Sequence, residues 1–218
     1  MVPLELRRAD LGFGRVVVDD RGVTRRGLWS TRSIAWDEII DYRLTIEMGS
    51  PRFEGRDLVE SLNPLVPVSD VVKGYRGDHR FRFGIRIVGN AQVVAVNRRF
   101  LGVALAIAQI VRRIHPRLVH HARAAFERTG VGQFGRLALA DHEIRWGDKP
   151  PLPRSEVESV ELFNSSPVQL RVMARHRAWP YGKVALAEIP NIAAALELAE
   201  ALGYQVRGRD LFAQLAIA

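Results

Sequence analysis

Three histidines, His115, His120 and His121, fall within one short stretch of the chain, and imidazole is a common metal ligand and proton carrier. His120 and His121 are adjacent, so on a helix they point about 100° apart. Neither has a carboxylate three or four residues away. This spacing offers no chelate, and the reading is of solvated or arginine-adjacent histidines. The carboxylate pairs Asp19-Asp20 and Asp37-Glu38 fall at expected turns or strand ends, where acidic side chains form turns and aid solubility. There is no Gly-x-Ser-x-Gly, no phosphate-binding glycine loop ending in Lys-Ser/Thr, and no His-x-x-x-His with a Glu, the patterns that place nucleophiles, phosphates and zinc. Cysteine is absent, which excludes disulfides, thiolate catalysis and cysteine metal sites. The expectation is a protein that is not an enzyme and takes no cofactor or metal.

Arginine is the other residue type that could recognise something. The formal net charge is +8, yet residues 1–130 hold 22 Lys+Arg against 14 Asp+Glu, and residues 131–218 hold 10 of each. The whole excess therefore lies in the first part. Arg80, Arg82 and Arg86 alternate with Phe81, Phe83, Ile85 and Ile87, so a strand here has one apolar and one basic face. With Arg98 and Arg99 nearby, these five arginines are the candidate binding residues, suited to anionic membrane lipids. Nucleic acid fits less well, because Phe81 and Phe83 face away from the arginines. Only three lysines accompany 29 arginines, which lowers the weight of any single arginine.

The elements that would position these residues occur twice. Phe13-Gly14-Arg15-Val16-Val17-Val18-Asp19-Asp20 recurs as Phe134-Gly135-Arg136-Leu137-Ala138-Leu139-Ala140-Asp141, at an offset of 121. Ile34-Ala35-Trp36-Asp37-Glu38-Ile39 then matches Leu152-Pro153-Arg154-Ser155-Glu156-Val157 at 118. Leu101, Ala104, Leu105, Ile107, Ala108 and Val111 match Ile192, Ala195, Leu196, Leu198, Ala199 and Leu202 at 91. The later fall in offset places an insertion at 48–78 in the first copy, and apolar residues such as Leu58, Leu62 and Leu65 suggest that it folds back or binds a partner. Each copy reads as about seven strands followed by one helix. Arg99 to Ile114 forms the first of these helices, Pro116 to Arg128 a separate connecting helix, and Asn191 to Leu202 the last. The first is apolar on nearly every face, and a helix of that kind is covered on more than one side; a wedge between the copies is expected. The prolines at 150, 151 and 153 leave the second copy's matching strand short.

The order strand, Asp-Arg-Gly turn, strand, then Ile34-Ala35-Trp36-Asp37-Glu38-Ile39 resembles the opening of bacterial pleckstrin-homology-like domains. The resemblance covers residues 11–114 and, more weakly, 132–204. It implies an α+β, mainly β protein with two tandem antiparallel β-barrels or sandwiches, each closed by a C-terminal helix. The expected organisation is a first domain over 1–115, a helical connector over 116–130 and a second domain over 131–218. The resemblance also implies a non-catalytic interaction module that binds a partner protein through the first copy, with peripheral binding to anionic membrane lipids as the alternative. The N-terminus lacks the apolar run of a signal peptide, so a cytoplasmic protein is expected, at most peripheral to the membrane. Oligomeric state is left open by the sequence. Binding is expected in the first, basic copy.

Overall fold

The computed structural model describes residues 3–7, 14–48, 81–97 and 102–208. Among these residues the chain is mainly β, with strands in four sheets and two α-helices. A meander of β1 (Leu4–Arg7), β2 (Arg15–Val18), β3 (Gly22–Arg26) and β4 (Thr31–Ala35) is followed by a second of β5 (Ile39–Met48), β6 (Phe81–Gly89) and β7 (Val93–Asn97), then helix α1 (Val103–Thr129). The same succession returns: β8 (Gly132–Phe134), β9 (Leu137–Leu139), β10 (Glu143–Trp146) and β11 (Leu152–Pro153), then β12 (Val157–Phe163), β13 (Gln169–Ala174) and β14 (Gly182–Ala185), then α2 (Ile192–Ala201). A short strand β15 (Val206–Arg207) pairs in parallel with β12.

The register repeats with the elements. Val18 pairs with Val23 and Leu139 with Ile144; Val23 pairs with Ile34 and Ile144 with Leu152; Leu44 pairs with Ile85 and Leu162 with Leu170. The Trp36 amide donates to the Arg21 carbonyl, and the Arg154 amide, its counterpart in the sequence alignment, donates to His142. The turn after β2 is fixed by Asp19, whose Oδ1 accepts from the Arg21 and Gly22 amides. Glycine is required at position 22 by close approach, since a Cβ there would lie 2.1 Å from the Ile34 carbonyl oxygen.

No sheet closes into a barrel among the described residues. Where β4 would meet β7, side chains take the place of ladder bonds: Arg25 donates to the Ala95 carbonyl, Arg32 to that of Val93, and the Ser33 amide donates to Gln92 Oε1. In the second half β11 is two residues long, as expected where prolines at 150, 151 and 153 remove amide donors. The segment expected as an insertion, 48–78, lies outside the described residues but for the backbone of Met48; Met48 pairs with Phe81, so the chain leaves and returns at the end of the β5–β6 hairpin.

The expected pair of helices is a single one. Pro116 lies within α1, where it deprives the Arg112 carbonyl of its donor; both residues are exposed, so water can serve that carbonyl and the helix continues. Gly130, at φ 71°, ends it. Helix α1 touches β1, β5 and β6 on one side and β8 and α2 on the other. Ala106, Ile107, Ile110, Val111, Ile114 and Leu118 are all buried. Burying each Ile or Leu side chain contributes about 1.5–3 kcal/mol, so this helix is the hydrophobic join between the halves.

The polar join is at β5. The Tyr42 amide donates to Asn191 Oδ1 (3.0 Å) and the Asn191 amide to the Tyr42 carbonyl (2.9 Å). Val168 N donates to the Ile46 carbonyl (2.9 Å), Asn191 Nδ2 to Ile40, and Arg117 to Ile39. Tyr42 is fully buried, its hydroxyl accepting from the Ala193 amide, and burial raises its pKa well above the usual tyrosine value. Asn191 holds a left-handed φ of 52°, which asparagine tolerates better than most residues. Asn191→Ala is expected to lower unfolding stability by about 1–3 kcal/mol, through orphaned β5 groups and left-handed strain. Asn191→Gly, free of that strain, should cost less than alanine. Chemical denaturation curves for the two variants that overlay the wild type would contradict this.

Candidate functional site

Of the five arginines expected to bind, Arg80, Arg98 and Arg99 lie outside the described residues. Arg82 and Arg86 are both on β6, but their register partners differ. Arg82 stands opposite Glu47, whereas Arg86, exposed, stands opposite Arg43. Asp41 lies near Arg43 and Arg86; burial raises its carboxyl pKa, and the two guanidinium groups oppose that rise. The sheet face therefore mixes charges, and only Arg86 of the expected set is placed as an available cation.

Many other arginines are engaged with the backbone. Arg25, Arg32, Arg117, Arg154 and Arg175 each donate to a main-chain carbonyl. Arg123 binds Glu197 Oε1 at 2.9 Å, and Glu197 Oε2 lies 3.0 Å from His115 Nε2. His115 thus has a carboxylate partner on α2, a distant contact that local spacing could not show. Among the described residues, no group of three or more His, Asp or Glu is placed to hold a metal ion.

A different surface stands out at the end of the first meander. The β3–β4 hairpin closes with Gly27 N donating to the Ser30 carbonyl at 2.7 Å, and this leaves Leu28 and Trp29 at the tip. Trp29 is 92% exposed and Leu28 60%. Strand β3 stops at Arg26, ahead of both residues. The overlooked signal is Gly27-Leu28-Trp29-Ser30, two large apolar residues held between turn formers.

The strands behind this tip carry like charges side by side. In one cross-strand row Arg7, Arg15, Arg26 and Thr31 are successive register partners; in the next the row reads Leu6, Val16, Arg25 and Arg32. Arg15 has Glu5 at 3.5 Å, and Arg25 and Arg32 reach the β7 carbonyls. Like charges directly opposite one another destabilise a sheet by a few tenths of a kcal/mol up to about 1. Arg15 opposite Arg26 and Arg25 opposite Arg32 are such juxtapositions, on the strands that lead to the exposed Trp29.

The chain matches no family model and no curated protein.

Because Leu28 and Trp29 touch so little of the folded chain, Leu28→Ala and Trp29→Ala should each change unfolding stability by no more than about 0.5 kcal/mol. A loss above about 2 kcal/mol in denaturant titration would mean that the tip packs on the protein instead of facing a partner.

Proposed function

We propose that the chain is a non-catalytic interaction module of two tandem pleckstrin-homology-like units, and that the first unit docks on an anionic membrane surface through the Leu28–Trp29 hairpin. The units correspond to residues 1–115 and 131–218, with 116–130 as connector. Each is an open sandwich of a four-stranded and a three-stranded meander, completed by a C-terminal helix. The exposed Leu-Trp tip backed by Arg15, Arg25, Arg26 and Arg32 is the observation that carries the functional reading. Tryptophan favours the membrane-water interface, where its ring is buried and its indole N–H stays wet. Each nearby basic side chain adds about 1 kcal/mol on an anionic surface. The tip projects from the sheet as a hairpin end, a shape suited to insertion among headgroups. No helix among the described residues is long and apolar enough to cross a membrane, so contact of this kind would be peripheral, made by a protein otherwise in the cytoplasm. Arg86 would add long-range attraction from the side of β6.

Sedimentation with phosphatidylserine-containing vesicles tests the proposal. Partitioning should fall steeply between low and physiological salt, be absent with pure phosphatidylcholine, and drop about tenfold or more in a Leu28→Ala/Trp29→Ala double variant. Partitioning that ignores salt, or that survives loss of both tip residues, would overturn it. Absence of binding to any vesicle would do the same and turn attention to a protein partner at this tip.

A further inference from the structure

We infer that the second unit carries a lipid-docking foot of its own, Trp179 with Lys149, Arg177 and Arg136, so that the protein seats on an anionic bilayer at two points. The inference rests on the membrane reading of the first unit and adds a second contact to it.

Charge counting pointed away from the second unit, which is neutral overall, but the repeat places cations and an exposed indole at one corner of it. In the first unit that corner is where the hairpin between the third and fourth strands meets the seventh: Arg25 and Arg32 reach the β7 carbonyls of Ala95 and Val93. In the second unit Lys149, on the hairpin between β10 and β11, donates to the carbonyl of Tyr181, just ahead of β14. In both units a cation near this hairpin thus reaches a carbonyl on, or just ahead of, the seventh strand. Arg136 stands where Arg15 stands in the repeat, and its carbonyl accepts from Gly147 N at the base of the second hairpin. The corner is therefore basic in both units, despite their different net charges.

Trp179 supplies the apolar element. It lies in the loop between β13 and β14 and is 81% exposed, among the described residues the largest exposure of any big apolar side chain after Trp29. It rises beside an open cleft of about 490 Å³ shared with Lys149, Pro150, Arg177 and Pro180. The cleft floor is firm: the Tyr181 hydroxyl donates to the Pro150 carbonyl and the Lys149 ammonium sits 5.4 Å from the Tyr181 ring centroid. Asp148 is the carboxylate on this hairpin, and Glu143, on the strand behind it, is held by Arg145 at 2.6 Å. Cations thus outnumber free carboxylates around the indole. An isolated exposed tryptophan beside cations is the composition of an interfacial anchor, and two weak anchors on one body multiply each other's affinity.

Partitioning into phosphatidylserine-containing vesicles is measured for wild type, Trp29→Ala, Trp179→Ala and the double variant, with unfolding midpoints as a control for folding. Each single change should weaken partitioning about tenfold and the double change should remove it, at unaltered midpoints. In Trp29→Phe, Trp179 is the remaining highly exposed indole, since Trp36 is partly buried and Trp146 buried; its fluorescence should shift to the blue on adding these vesicles. Loss with Trp29→Ala but none with Trp179→Ala, and no blue shift, overturns the second foot while leaving the first-unit reading intact. Indifference to both changes overturns both.

Discussion

Strand β5 has one neighbour in its own sheet, β6, and its other edge would be a row of bare amides and carbonyls if the second half of the chain were not there. A bare edge of this length is a template for wrong pairing. Asn191 satisfies it with the side chain as well as the backbone, Val168 continues the pairing and Arg117 ends it. Most of the architecture follows from that need. The last helix must start beside Tyr42, so α1 has to carry the chain far enough to bring the second unit alongside, and its apolar surface fills the gap that results. Val160 occupies in the second unit the place of Tyr42 in the first, and its amide donates to the Gln205 carbonyl at the start of β15. The first unit's edge is covered by the second unit, and the second unit's edge by β15.

The arginines divide along similar lines. A guanidinium at the end of a long stem is a convenient cap for a carbonyl that no strand reaches, and Arg25, Arg32, Arg117, Arg154 and Arg175 all act in this way. Such a guanidinium keeps its charge, which still attracts an anionic surface, but spends donors on the backbone instead of on a bound group. For that reason neither total charge nor its division between halves locates binding; the like-charged row behind Trp29 and the small basic corner around Trp179 do so better, because both set cations beside an indole with little protein to cover it.

Much of the fold was legible in the sequence. The offsets of 121 and 118 reappear in strand register and in turn hydrogen bonds, because hydrophobic alternation and the Asp-Arg-Gly turn specify pairing locally. Phe83, Ile85 and Ile87 are buried and Arg86 is exposed, as the alternation required. Elements whose reason lies elsewhere were hidden. Strand β1, Leu4-Glu5-Leu6-Arg7, alternates as a strand should, but four residues are too few to mark one, and only pairing with β2 makes it so. Pro116 suggested a break because the solvent exposure of Arg112 cannot be read from sequence. The carboxylate partner of His115 is on another helix. The exposed tryptophans were missed for a simpler reason: a large apolar residue is assigned to the core by default, and only the end of β3 at Arg26 shows that Trp29 has no core to reach.

Hydrogen exchange of the Tyr42 amide tests most directly whether the two units are one body joined at β5. If Asn191 Oδ1 holds this proton in a buried, continuous interface, it should exchange as slowly as the amides of the sheet core and be released together with those of α2 in a single opening event. A Tyr42 amide that exchanges as fast as an open strand edge, while β6 and β13 remain protected, would show two units that merely share a chain.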